Sequence, residues 1–140
     1  EVLRADLLIA APTAKSHSST GVSLAIKGMM GLVYNRRPFH WDGLDECIVD
    51  LGAKLKPDLT VVDATHVLAS NGPSGPGEVL NEGKIIASRD MVAADAFTVT
   101  EFPWYGQRFT AGQVGHIKLA HERGLGRMDF EKLDIKRVDL

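Results

Sequence analysis

The segment that most constrains the fold is Lys15–Gly31, a polar turn that opens into a long apolar run. It follows the apolar residues Leu7–Ala11, which predict a mostly buried strand that ends at Pro12. From Gly21 onward the run is apolar on most faces, as in a central helix. A lysine, a histidine and several hydroxyl groups therefore lie at a strand-to-helix junction, where we expect the functional centre.

Length and charge limit the class of protein. A chain of 140 residues fits one domain with a real core, and 44% hydrophobic and 24% charged residues are typical of a globular protein. The formal net charge is -2, from 16 basic and 18 acidic residues, so no basic field points to nucleic acid or anionic lipid. No apolar run approaches the roughly 20 residues of a membrane span. We expect neither nucleic acid nor a membrane as partner.

Cysteine usage limits the cofactors. Cys47 is the single cysteine, which excludes an internal disulfide framework, a cysteine-rich zinc site and an iron–sulfur cluster held by this chain alone. We expect a cytoplasmic protein. The chain begins at Glu1 directly in a strand-like segment, so a removed leader or a preceding element would leave no trace in this sequence.

The remaining segments predict alternating helices and strands. Leu44, Ile48, Leu51 and Leu55 recur with helical spacing, which predicts an amphipathic helix that ends before Pro57. Further strands are predicted at 59–63, 84–88 and 133–138, and further helices at 91–97 and 111–124. The order β-α-α-β-β-α-α-β predicts a single α/β domain over residues 1–140. We expect a three-layer sandwich whose mixed, mostly parallel sheet has about four strands flanked by helices.

Polar residues follow three of the predicted strands. The first strand leads to Lys15 and His17, the second ends in Asp63, and the third ends in Asp90. Ligands of open α/β sheets bind outside the carboxyl ends of the strands, so these residues would converge if the strands are parallel neighbours. Lys15, His17 and the free amides of the following helix would then form an anion-binding corner.

The expected site holds a small anion with a carboxylate or phosphate group. Proton exchange by His17 or Asp63 would make it catalytic, whereas a divalent metal on Asp63, Asp90 and His17 is a second hypothesis for the same residues. Thr20, Ser23 and Lys27 fall on one polar stripe of the predicted helix. The candidate catalytic residues are Lys15, His17, Lys27 and Asp63, and the candidate ligand-binding residues are Ser16, Thr20, Ser23, Gly72 and Asp95.

Each residue also has a purely structural interpretation. Lys15 and His17 can belong to a solvated loop, and Lys27 can extend its ammonium group to the surface. Asp63 can be a turn or cap residue, and Asp95, among alanines, can form a structural pair. The loop 71–77 matches neither a dinucleotide-binding nor a P-loop motif, and no histidines have the spacing of a zinc site. On this structural interpretation the polar residues only connect the ends of the sheet.

These motifs resemble the family known as domain of unknown function 362. The resemblance runs in order over nearly the whole chain. It is carried by the runs Ala5–Ile9, Lys15–Ser18, Thr20–Gly28, Val62–Ala64, Gly72–Pro73, Ile86–Asp90, Asp95–Ala96 and Glu122–Gly126. In the family an asparagine usually follows the helix lysine, and here Gly28 takes that position. The resemblance implies an α/β fold and a set of site residues, but it says little about which reaction they would catalyse.

The resemblance implies a second function hypothesis. The family domain usually begins with a further strand–helix portion, so this chain resembles its C-terminal part, and many relatives carry ferredoxin-type cysteine motifs and are named iron–sulfur proteins. The chain would then be a non-enzymatic module of a redox assembly that docks to a ferredoxin-like partner. An open sheet edge also predicts self-association into a homo-oligomer.

Overall fold

A computed structural model describes residues 2–139, which form a five-stranded sheet and four helices. The strands are β1 (Ile9–Ala10), β2 (Thr13–His17), β3 (Gly21–Ser23), β4 (Leu59–Leu68) and β5 (Val79–Ser88). The helices are α1 (Ala25–Gly28), α2 (Leu44–Leu55), α3 (Met91–Glu101) and α4 (Gly115–Glu122). Both β1 and β2 pair parallel to β4, while β3 and β5 add antiparallel pairs at β2 and β4. The predicted α/β fold with a mixed, mostly parallel sheet is therefore confirmed.

The core lies where α3 packs against the long strands. Alternate residues of β4 are fully buried, as the period of two in a strand requires (Val62, Ala64). Eight of the eleven residues of α3 are buried, so this helix is apolar on nearly every side and lies centrally. The amphipathic α2 instead buries one stripe, which includes Ile48 and Val49. The helix α1 packs beside α3 in this arrangement.

Three predicted elements differ from the structure. The first strand, predicted as mostly buried and ending at Pro12, is only Ile9–Ala10, and both Leu7 and Ile9 are exposed. The long helix predicted from Gly21 is instead the strand β3, the single turn α1 and a 3-10 turn at Met29–Leu32. Gly21 has a φ of +75°, a conformation that suits the tight turn between β2 and β3. The last predicted strand, 133–138, has no regular structure. Its charged residues lie exposed, so no neighbouring strand offsets the cost of ordering them.

The direction of β5 also differs from the expectation of parallel neighbours. The two longest strands, β4 and β5, form an antiparallel pair, in which Thr60 lies opposite Ser88 and Leu68 lies opposite Val79. The carboxyl end of β5 therefore lies beside the start of β4 and not beside its end. Asp90, which follows β5, consequently lies at the opposite end of the sheet pair from the end of β4, and Asp63 lies within β4.

Candidate functional site

The tight β2–β3 pair positions Lys15 and His17. Both residues belong to β2 and not to a loop, with Lys15 opposite Ser23 and His17 opposite Gly21. The His17 side chain is buried, and its Nδ1 atom accepts a hydrogen bond of 3.2 Å from the backbone N–H of Ser19. A neutral imidazole whose Nδ1 accepts carries its proton on Nε2. His17 therefore offers one N–H donor to a neighbouring group.

Lys27 lies on α1 beside this strand pair and is half-buried. Its pKa is lowered, first by burial and then by the nearby positive charges of Arg36 and Lys15. The carbon chain of a half-buried lysine packs easily, but its ammonium group is stable only with a counter-charge or with water. Among residues 2–139, neither Lys27, Lys15 nor Arg36 forms an ion pair.

The side chains around His17 are likewise basic. Its pKa is lowered to about 4, chiefly by burial and then by Lys27, His40, His116 and Lys15. We call Lys15, His17, Lys27, Arg36 and His40 the basic cluster. Its members come from β2, from α1 and from the loop 33–43. No carboxylate contributes to the pKa shift of either His17 or Lys27. Positive charge is therefore concentrated here without a nearby negative charge that acts on these two residues.

Sequence patterns did not identify Arg36 and His40 as part of this cluster. Both lie on the turn-rich loop that precedes α2, where runs of basic residues are usually solvated. The only signal in the sequence was the density of basic residues between Tyr34 and Trp41. The tertiary fold that brings this loop to β2 and α1 has no local signature, so spacing alone could not find it.

A further buried histidine lies near His17. The His116 side chain, in the first turn of α4, is fully buried, and neither ring nitrogen has a hydrogen-bond partner among residues 2–139. Its Nδ1 atom lies 3.6 Å from Asp45 Oδ1, which is beyond hydrogen-bonding distance. Buried polar atoms are nearly always paired in native proteins. The imidazole of His116 is therefore an unused polar group beside the basic cluster.

Asp95 stabilises α1 and does not face the site as a free carboxylate. Its Oδ1 and Oδ2 atoms accept hydrogen bonds of 2.9 Å from the backbone N–H groups of Ala25 and Ile26. The first amides of α1, which the sequence predicted as part of an anion-binding corner, are therefore already occupied. Burial raises the pKa of Asp95 to about 7, although these two hydrogen bonds act in the opposite direction.

The other two candidate carboxylates also have local partners. Asp63 Oδ1 accepts hydrogen bonds from the backbone N–H and the hydroxyl of Thr65, and these bonds lower the pKa of Asp63. Asp90 caps α3 through Ala93, and its second oxygen accepts a 2.8 Å hydrogen bond from the backbone N–H of Arg127. Within residues 2–139 no group of three or more His, Cys, Asp or Glu side chains could hold a metal ion. The structure does not bring Asp63, Asp90 and His17 together as metal ligands.

The predicted ligand-binding residues Ser16 and Gly72 contact each other. The buried Ser16 hydroxyl accepts a 2.9 Å hydrogen bond from the backbone N–H of Gly72. A Cβ atom at Gly72 would lie only 1.9 Å from the Ser16 carbonyl oxygen, so the backbone approach needs glycine. The contact fixes the loop 71–77 against β2, next to His17 in sequence.

Thr20 and Ser23 do not form the predicted helical stripe with Lys27. Thr20 lies in the β2–β3 turn, where its hydroxyl donates a 2.9 Å hydrogen bond to the Val22 carbonyl oxygen. Ser23 is buried in β3, opposite Lys15. Two apolar grooves, of about 580 and 210 Å³, are lined by other residues and include none of the basic cluster. None of the helices in residues 2–139 has the length and apolar character needed to cross a membrane.

Comparisons with known proteins match most of the chain. The family described as Domain of unknown function (DUF362) matches residues 1–100, which include β1 to β5 and most of α3. The thylakoid-associated protein sll1697 of Synechocystis sp. (strain ATCC 27184 / PCC 6803 / Kazusa) is 29% identical over 109 residues. This match covers 72% of the chain and 33% of the relative, so the chain spans about a third of that curated protein's length. No solved structure matches the chain.

Proposed function

The chain belongs to the family Domain of unknown function (DUF362), and on that premise we propose that it binds a small anion at the basic cluster. The anion carries a phosphate or carboxylate group. The family name assigns no activity, so the proposal depends on the chemistry of the site. All five members of the basic cluster lie within residues 1–100, the part of the chain that matches the family.

The observation that carries the proposal is the uncompensated charge around Lys27 and His17. Charges of one sign repel each other, and the repulsion is larger where burial lowers the local dielectric constant. The lowered pKa values of Lys27 and His17 report this repulsion together with the cost of desolvation. An anion among these side chains would replace repulsion with charge-assisted hydrogen bonds, which are stronger than neutral ones.

Four members of the basic cluster have a role in the proposal. Lys27 and Lys15 supply ammonium groups, and Arg36 supplies a planar guanidinium that can bind two oxygen atoms of one phosphate or carboxylate group. His17 donates from Nε2, because its Nδ1 atom is already an acceptor for Ser19. Proton exchange at His17, an extension of the binding proposal, would require Nδ1 to give up its hydrogen bond from Ser19, because Nε2 already carries the proton.

The experiment that tests the proposal is calorimetric titration of the protein with inorganic phosphate and with acetate. We expect phosphate to bind, with an affinity that falls as salt is added, because salt screens exposed charges. Lys27→Gln should weaken binding by about tenfold or more, since a hydrogen bond to a charged group contributes roughly 1.5–3 kcal/mol. Lys54→Gln, at an exposed lysine of α2, is the matched control and should leave binding unchanged.

Two results would contradict the proposal. The wild-type protein could fail to bind either anion, or Lys27→Gln could bind phosphate as well as Lys54→Gln does. Circular dichroism of each variant would show whether the fold is kept, so that a loss of binding reports on Lys27 itself.

A further inference from the structure

The strand β1 has one free edge. On its other edge it pairs with β4, where the carbonyl oxygens of Leu8 and Pro12 accept backbone hydrogen bonds of 3.4 and 2.8 Å. Successive residues of a strand direct their backbone groups to opposite edges, so Ile9 and Ala11 direct theirs away from β4. Within residues 2–139 these outward N–H and C=O groups have no hydrogen-bond partner on another strand.

The free edge of β1 is one wall of the apolar groove of about 210 Å³. The other wall is α1 with the 3-10 turn that follows it, and it includes Gly28, Met29 and Leu32. Both β1 and β2 lie along the same side of β4, and α1 follows β3 on the outer side of β2. Neighbouring strands lie about 4.7–4.9 Å apart. The groove therefore has room for one extended segment, while the wall formed by α1 excludes the edge of a whole sheet.

The unpaired backbone groups decide what kind of molecule fits the groove. An acyl chain would cover the outward groups of Ile9 and Ala11 and displace water without replacing its hydrogen bonds, which is costly. An added strand forms backbone hydrogen bonds with the same groups while its alternate side chains enter the apolar part of the groove. The groove is therefore suited to an extended peptide.

The chain itself contains a segment of this kind. Residues 133–138 have the sequence pattern of a strand, with Leu133 and Ile135 on one side, but they have no regular structure. Ile135 is 45% exposed. Arg137 lies beside α3, with its guanidinium carbon 5.8 Å from the centre of the Phe97 ring. The helix α3 packs on β4 and β5, and β5 lies at the opposite edge of the sheet from β1. The segment is thus positioned to reach another copy of the chain.

We infer that residues 133–138 of one copy bind the groove of a second copy as a strand added to β1. Leu133 and Ile135 face the apolar wall, and the backbone of the segment pairs with the outward groups of Ile9 and Ala11. Two copies that exchange this segment reciprocally form a closed dimer with two equal contacts. The inference is independent of the proposed anion site, because no residue that lines the groove belongs to the basic cluster.

The test measures association of the full chain by analytical ultracentrifugation over a range of protein concentrations. We expect the wild type to associate. Ile135→Asp should raise the Kd of association by about tenfold or more, because aspartate lacks the apolar area that isoleucine buries in the groove. Val138→Asp is the matched control, since Val138 is exposed and lies on the opposite side of an extended segment. It should leave the Kd unchanged.

A second variant blocks the groove. Ala11→Pro removes the outward N–H of Ala11 and keeps the hydrogen bonds to β4, as proline does on an edge strand. It should weaken association like Ile135→Asp. At a concentration where each variant alone is monomeric, their mixture should form a one-to-one dimer, because one supplies an intact groove and the other an intact segment. If circular dichroism shows that Ala11→Pro does not fold, Leu32→Lys, at an exposed position of the groove, replaces it.

Several results would overturn the inference. The wild type could stay monomeric at every concentration, or the mixture of the two variants could fail to form a dimer. Equal association of Ile135→Asp and Val138→Asp would place the interface elsewhere on the surface. Binding of dodecanoate to a monomeric wild type, abolished by Leu32→Lys, would assign the groove to an acyl chain.

Discussion

The carboxylate of Asp95 on α3 accepts a 2.9 Å hydrogen bond from the backbone N–H of Ile26 on α1, which lies 69 residues away in sequence. Its other oxygen accepts an equal bond from Ala25. The helix α1 has only four residues, too few to be stable by its own hydrogen bonds. Asp95 therefore holds α1, and with it Lys27, at its position beside β3.

Replacement of Asp95 should destabilise the protein. Asp95→Ala leaves the N–H groups of Ala25 and Ile26 buried without an acceptor, and each unsatisfied group costs about 1–3 kcal/mol. We expect a loss of about 3 kcal/mol in the free energy of unfolding, measured by urea denaturation. Asp134→Ala, at an exposed aspartate, should change the same quantity by less than about 0.5 kcal/mol. Equal stabilities of the two variants would show that Asp95 does not hold α1.

The same carboxyl predicts a pH dependence of stability. Burial raises the pKa of Asp95 from an ordinary 3.8 to about 7 in the folded protein. Between these two pKa values the folded protein holds a proton on Asp95 that the unfolded chain has released. The contribution of this proton to stability is therefore complete below about pH 4 and is lost as the pH rises to about 7.

The measurement is the difference in unfolding free energy between the wild type and Asp95→Asn, which does not titrate at this position. We expect this difference to favour the wild type more at pH 5 than at pH 7, by on the order of 1 kcal/mol or more. Both proteins contain His17, so the titration of that residue cancels in the difference. A difference independent of pH would contradict the raised pKa of Asp95.

Local sequence patterns predicted the elements that have a strong period. The spacing of Leu44, Ile48, Leu51 and Leu55 predicted α2 almost to the residue, because one apolar face of that helix packs on the core. The apolar residues 91–97 likewise predicted α3. The helix predicted from Gly21 was wrong as far as Gly28, because apolar residues on every side are as typical of a buried strand as of a buried helix. There the pairing of β2 with β3 decided the structure.

The basic cluster, which is the candidate site, could be predicted only in part for the same physical reason. Lys15, His17 and Lys27 were identified because their polar groups interrupt an apolar segment, and that signal is local. Arg36 and His40 join them only through the tertiary fold. Asp95 was identified, but its role depends on the first turn of α1 lying beside it, which no spacing in the sequence reveals.

The contact between Ser16 and Gly72 predicts a steric requirement beside the site. Gly72→Ala places a Cβ atom 1.9 Å from the Ser16 carbonyl oxygen, so the loop 71–77 has to move away from β2. We expect a loss of about 2 kcal/mol or more in the free energy of unfolding, as in other overpacked sites. Gly31→Ala is the matched control, because no atom lies within 4 Å of a Cβ there. Similar melting temperatures of the two variants would refute the close approach.

His17 predicts a spectroscopic response to the ligand. In the free protein burial and its basic neighbours lower its pKa to about 4, so the folded state binds a proton less readily than the unfolded chain, whose histidine titrates near 6.5. Its contribution to stability is therefore present above about pH 6.5 and is lost as the pH falls to about 4. A phosphate group among the basic cluster would offset the positive charges and raise the pKa of His17.

This response can be measured by NMR titration of the His17 Cε1–H signal, assigned by its loss in His17→Gln. We expect saturating inorganic phosphate to move the pKa of His17 upward by about one unit, which corresponds to about 1.4 kcal/mol of interaction. The signal of the exposed His66 on β4 serves as the internal control and should not respond to phosphate. A His17 signal whose pKa stays the same at saturation would place the anion elsewhere, since no bound phosphate can lie beside this imidazole without favouring its protonated form.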